Sequence, residues 1–130
     1  MFTEESTVKF INDKVGTELV LKSDEFSSYD AEDINYIVEI KNRRKYYPTK
    51  LIEASKLFSN YQKSQIKGKS FLYVVTDDKG FYVFNITKNM KNIVNVLPIP
   101  LDCPITTDFS TNIIIKKYSY VLNEDLSTKL

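Results

Sequence analysis

Asp30, Glu39 and Lys41 are the residues of this chain whose types and spacing suit chemistry. The segment Tyr36-Ile37-Val38-Glu39-Ile40-Lys41 is largely β-branched and aromatic, which is the composition of a strand. Alternation along a strand sends Tyr36, Val38 and Ile40 to one face and Ile37, Glu39 and Lys41 to the other, so a carboxylate and an ammonium share a face. Such charges are costly to bury at the end of an apolar strand unless they pair or bind something. Asp30, a short loop upstream, completes a set of hard oxygen donors suited to Mg²⁺ or Mn²⁺. Two carboxylates, a divalent ion and a lysine are the minimum apparatus for metal-assisted phosphodiester hydrolysis.

What the chain lacks narrows the chemistry further. It has no His, which excludes HNH-type nucleases, HD phosphohydrolases, Ser-His-Asp hydrolases and His-relayed ribonucleases, all of which need imidazole as base or ligand. Cys103 stands alone between Asp102 and Pro104, so there is no disulfide framework and no cysteine zinc site, and its thiol reads as structural. Gly16, Gly68 and Gly80 are too few and too scattered for a phosphate-cradling loop. Carboxylate, lysine and tyrosine chemistry remains.

The elements that must position these residues follow from periodicity. Val8, Ile11 and Val15 predict a helix over Thr3 to Val15, capped by Thr3 and closed by Gly16. Glu18 to Lys22 reads as a first strand, Ser23 to Ser28 as a turn, and the Glu-x-Lys strand follows. After Pro48 and Thr49, the stripe Leu51, Ala54, Phe58, Tyr61 and Gln65 predicts a helix of about four turns ending at Gly68. Phe71 to Val75 and Phe81 to Ile86 form a hairpin about Asp77-Asp78-Lys79-Gly80. Ile93, Val94, Val96 and Leu97 fit a short strand, and Asn112 to Tyr120 a last one. With 130 residues and no repeat, residues 1–130 form a single domain.

Asp30, eight residues and then Glu39-Ile40-Lys41, set in this order of elements, resembles the Asp…Glu-x-Lys signature of the PD-(D/E)XK nuclease superfamily, which includes restriction endonucleases and Holliday-junction resolvases. The resemblance covers roughly residues 18 to 87. It implies an α/β (α+β) fold with a restriction-endonuclease-like core, a mixed central sheet flanked by helices, in a small member of the phage or mobile-element type. It also implies a Mg²⁺- or Mn²⁺-dependent nuclease acting on DNA, with RNA left open. Asp30, Glu39 and the Ile40 carbonyl would hold the metal, and Lys41 would orient or help deprotonate the attacking water. The sequence lacks the Pro that precedes the Asp in the family pattern, and Asp24 and Asp33 compete with Asp30 for the first-ligand role. A further acid from the first helix joins such sites in the family, which points to Glu5 or Glu4, with Glu18 as a substitute. The family at times also places a Gln or Lys of the second helix near the site, and here Gln65 and Lys67 lie near that helix's end.

Arg43, Arg44, Lys45 and Lys50, with Tyr46 and Tyr47 among them, form the densest basic cluster and follow directly on Lys41. Guanidinium groups grip phosphates bidentately and tyrosines stack on bases, so these are the candidate nucleic-acid contacts. Charge must be argued locally, because 18 basic residues nearly balance 17 acidic ones. The alternative function is a non-catalytic nucleic-acid-binding or scaffold protein on a degenerate nuclease fold, as a homodimer or a subunit of a larger complex. Acidic residues near the N-terminus and the absence of a stretch of about 20 apolar residues give the expectation of a cytoplasmic protein without membrane contact.

Overall fold

The computed structural model describes residues 2–24, 27–104 and 114–130. It is a mixed α/β fold in which a central sheet is flanked by three helices. The first helix, α1, runs Glu4–Val15. Thr3 caps it as its side chain predicts: the Ser6 N–H donates to Thr3 Oγ1 and the Thr3 N–H to Ser6 Oγ. Gly16 ends it at φ +80°, a conformation that a residue with a Cβ rarely adopts.

Two short strands, β1 (Val20–Leu21) and β2 (Ala31–Glu32), lead into β3 (Tyr36–Asn42). Next come β4 (Lys50–Glu53), α2 (Ala54–Lys67), β5 (Ser70–Asp77), β6 (Gly80–Asn85) and α3 (Ile86–Val94). The chain closes with β7 (Ile99–Pro104), β8 (Ile114–Leu122), a 3-10 turn (Glu124–Leu126) and β9 (Ser127–Lys129). The central sheet has the order β1-β2-β3-β5-β6-β9, and a three-stranded antiparallel sheet has the order β4-β8-β7. In the central sheet β3 and β5 are parallel, joined through β4 and α2, and every other pair is antiparallel.

The parallel pair explains the apolar run around Glu39, because strands at the middle of a covered sheet are buried on both faces. Val38 and Ile40 pack with Val8, Ile11, Leu72 and Val74 against α1. Ile37 packs on the opposite face with Phe71, Tyr73, Leu57, Ile86 and Leu122, beneath α2, α3 and the second sheet. The expected alternation of β3 is therefore the observed one, and Glu39 and Lys41 lie on the Ile37 face.

Three expectations change. Residues 50–53 are strand rather than helix, because Lys50, Leu51, Ile52 and Glu53 pair with Leu122, Val121, Tyr120 and Ser119. The buried stripe of α2 is Leu57, Asn60 and Ser64, whereas Phe58 is 46% exposed and Gln65 lies in solvent. A hydrophobic stripe misses this face because its polar members are satisfied: Asn60 exchanges hydrogen bonds with Ser28, and the Ser64 hydroxyl donates to the Tyr61 carbonyl. Ile93 and Val94 belong to α3, which Asn85 caps by accepting the Lys88 N–H and which buries Ile86 and Ile93. The side chain of Cys103 and the first residues of the expected final strand, Asn112 and Ile113, lie outside the described residues.

Candidate active site

Asp30 sits where the hairpin of β2 and β3 opens. Its N–H donates to the Val38 carbonyl at 2.8 Å, while its own carbonyl accepts the Lys22 N–H. Its side chain then takes over the ladder: Asp30 Oδ2 accepts the Ile40 N–H at 2.7 Å. A strand residue's N–H and C=O leave on the same side in an antiparallel ladder, so the Ile40 carbonyl leaves β3 on the side of Asp30. Asp33 is fixed elsewhere, accepting the N–H groups of Asn35, Tyr36 and Glu18, and so serves as a turn residue. Asp24 lies exposed in the connection between β1 and β2.

Glu39 is 7% exposed and bonds Lys56 of α2 at 2.9 Å. Burial, and then the charge of Asp30, push its carboxyl up to about 6 despite the opposing pull of Lys56 and Lys41. The first turn of α1 adds a third acid, which is Glu4 rather than Glu5. Glu4 is raised by burial, by the charge of Asp30 and by a hydrogen bond with it. Asn42 at the end of β3 locks this arrangement, since its side-chain oxygen accepts the hydroxyls of Thr7 on α1 at 3.0 Å and Thr76 on β5 at 2.6 Å.

Lys41 follows Glu39 on the same face, and burial, then Arg43, then Lys56 hold its ammonium below the usual lysine range. Burial alone would lower Lys56 as well, but its bond to Glu39 outweighs it and leaves Lys56 raised. Lys56 had no sequence signal, because its reach to β3 depends on how α2 lies across the sheet. Across the parallel ladder, Glu39 neighbours Tyr73 and Lys41 neighbours Val75. The Tyr73 hydroxyl donates to the Leu51 carbonyl at 3.0 Å, and burial raises the phenol further.

The basic cluster divides. Arg43, Arg44 and Lys45 are exposed, whereas Lys50 is 3% exposed and points inward. Its ammonium bonds the Tyr47 carbonyl at 2.6 Å, Glu124 at 2.8 Å and Asp77 at 3.4 Å, and it lies 4.1 and 4.2 Å from the ring centres of Tyr46 and Tyr82. Lys50 is thus a buried structural cation rather than the surface contact its neighbours in sequence suggest. A hollow of about 300 Å³ opens between this ion pair and Lys41.

Among the described residues no three acidic, cysteine or histidine side chains are gathered tightly enough to hold a metal ion. Of Asp30 and Glu39, each has one carboxylate oxygen engaged, with the Ile40 N–H and Lys56 respectively. The donor chemistry of Asp30 and Glu39 suits a hard divalent cation, which would relieve the repulsion between them. No helix among the described residues is long and apolar enough to cross a membrane. The sequence matches no protein-family model and no curated protein.

Proposed function

We propose that the protein is a metal-dependent nuclease of the PD-(D/E)XK type that hydrolyses phosphodiester bonds of DNA. The reading is carried by one observation: Asp30, bonded to the Ile40 N–H, and the buried Glu39, bonded to Lys56, come together from separate segments on β3 just before Lys41, with Glu39 pushed up to about 6. Acids gathered at this energetic cost mark sites that bind cations or exchange protons. The mixed sheet with its parallel β3–β5 pair is compatible with a restriction-endonuclease-like core.

A bound Mg²⁺ or Mn²⁺ would supply a Lewis acid for a phosphoryl oxygen and an acidified water. Asp30, Glu39 and the Ile40 carbonyl would hold it. Lys41, whose proton is held less tightly than an ordinary lysine's, would hydrogen-bond the attacking water and offset charge on the phosphate. Arg43 and Lys45, exposed beyond Lys41, would hold the flanking backbone.

The test is a calorimetric titration of Mn²⁺ into wild type, Glu39→Ala and Asp24→Ala, with plasmid and oligonucleotide cleavage run in parallel. Wild type and Asp24→Ala should bind the ion, and Glu39→Ala should not. Equal binding by wild type and Glu39→Ala overturns the site. If neither DNA nor RNA is cleaved with any divalent ion, a non-catalytic nucleic-acid-binding or scaffold protein on a degenerate nuclease fold takes its place.

A further inference from the structure

We infer that the hollow beside Lys41 receives a single unpaired nucleotide of the substrate strand, its base seated on the apolar floor and its phosphate at the cationic rim. The inference rests on the nuclease reading and names the form of substrate for that site.

The floor is buried and built. Tyr73 and Val75 of β5, both nearly inaccessible, give it an aromatic and an aliphatic surface. The buried Lys50–Asp77 pair supplies a polar end, where the Asp77 carboxylate is the acceptor within the recess, the Lys50 protons being taken by Tyr47, Glu124 and Asp77. The rim is exposed and cationic, with Lys41, Arg43 and Lys45 around it and Tyr47, 51% exposed, at its edge. An apolar slot with a polar end and a positive mouth fits a flat heterocycle carrying a phosphate.

Size and position give the rest. About 300 Å³ is at the lower limit of small-molecule pockets and has no room for a base pair within a duplex. A stacked, paired base would have to leave the helix to enter, whereas an unpaired one enters freely. Lys41 and Tyr73 belong to the hollow and also flank Glu39, Tyr73 as its partner across the ladder about 4.8 Å away. A base held there sets its own phosphate next to the carboxylates.

The experiment follows the emission of a 2-aminopurine oligonucleotide in EDTA buffer, single-stranded or annealed to its complement, so that binding is read without metal or cleavage. Wild type should bind the single strand at least about tenfold more tightly than the duplex, the order expected for one base–aromatic stack. Thr49→Trp fills the hollow from its exposed rim and should abolish that preference, as Tyr47→Ala should weaken it. Lys9→Ala, an exposed position of α1 outside the hollow, should leave it intact. Equal affinity for both forms, or an unchanged Thr49→Trp, overturns the inference. So does a free 2-aminopurine nucleoside monophosphate that binds as tightly as the strand. A single-strand preference that disappears in Thr49→Trp, with no divalent-dependent cleavage, keeps the hollow and removes the nuclease. Cleavage by a Thr49→Trp protein that binds as wild type does removes the hollow and keeps the nuclease.

Discussion

Glu32 and Glu39 stand on the two arms of one hairpin, and their surroundings drive them in opposite directions. Glu32 receives Lys67 at 2.8 Å, Lys69 at 2.7 Å, Lys22 at 3.3 Å and the Tyr29 hydroxyl at 3.1 Å. Lys67, then Lys69, hold its carboxyl down to about 2. Glu39 is buried, has one ammonium bonded to it and faces Asp30, which leaves it at about 6. The first is a saturated carboxylate that helps fix α2 against the hairpin. The second is an acid kept in a place that disfavours its charge. Each glutamate is paired with lysine, so pairing alone makes the two sites look alike; the balance of charge and burial separates them.

Exchanging the lysine beside each glutamate should give the widest contrast. Lys41→Ala should keep Mn²⁺ binding and lose cleavage by orders of magnitude, because its proposed role is confined to the transition state. Lys69→Ala should cleave as wild type does. Similar cleavage rates for the two variants would remove the distinction between the sites.

Stability should separate them next, with opposite pH dependence. A rise from an ordinary 4.5 to about 6 means that the folded state holds the Glu39 proton more tightly than the unfolded chain does. Ionised Glu39 therefore costs nothing below pH 4.5, costs more as pH rises toward 6, and above that costs about 2 kcal/mol. Glu39→Gln should stabilise the metal-free protein at pH 7.5 by up to that amount, and the gain should vanish at pH 4, as measured by urea denaturation. Glu32 runs the other way. Its lowered carboxyl adds stability that is present above pH 4.5 and is lost as pH falls toward 2. Water reaches its lysines, so Glu32→Gln should cost only about 1 kcal/mol at pH 7.5 and nothing near pH 2. Equal signs for the two Gln variants at pH 7.5 would break the comparison.

Parts of this were open to the sequence because local rules governed them. The faces of β3 follow from alternation, and the Thr3 cap and Gly16 stop follow from side-chain chemistry. What stayed hidden depends on distant pairing. Leu51 and Ile52 suit a helical stripe as well as a strand, and only β8, some 70 residues on, decides for β4. Asn60 and Ser64 look like surface until Ser28 is placed against Asn60. Lys50 is a fourth surface cation by proximity to Arg43, and Asp77 and Glu124 are what draw it inside. Glu4 and Glu5 are equivalent in sequence, and the rotation of α1 set by Thr7, Val8 and Ile11 brings Glu4 to Asp30.

The smallest stability effect belongs to the arginines at the end of β3, and it bears on the same contrast. Ion pairs among the described residues engage Lys22, Lys50, Lys56, Lys67, Lys69 and Lys117, and no arginine takes part in them. The cations around Glu32 are committed to a carboxylate within the fold, whereas Arg43 and Arg44 are exposed. Arg43→Ala/Arg44→Ala should therefore leave thermal stability within about 0.5 kcal/mol of wild type, as surface charges do. It should weaken nucleic-acid binding across all sequences and flatten its salt dependence by close to one in the log–log slope for each phosphate that is no longer held. Lys67→Ala, by contrast, should lower stability and leave the slope alone, since its ammonium is held by Glu32 and the Tyr29 hydroxyl. A slope that falls in Lys67→Ala and holds in the double arginine variant would put the nucleic-acid surface at the lysine cluster, with Glu32 as its organiser.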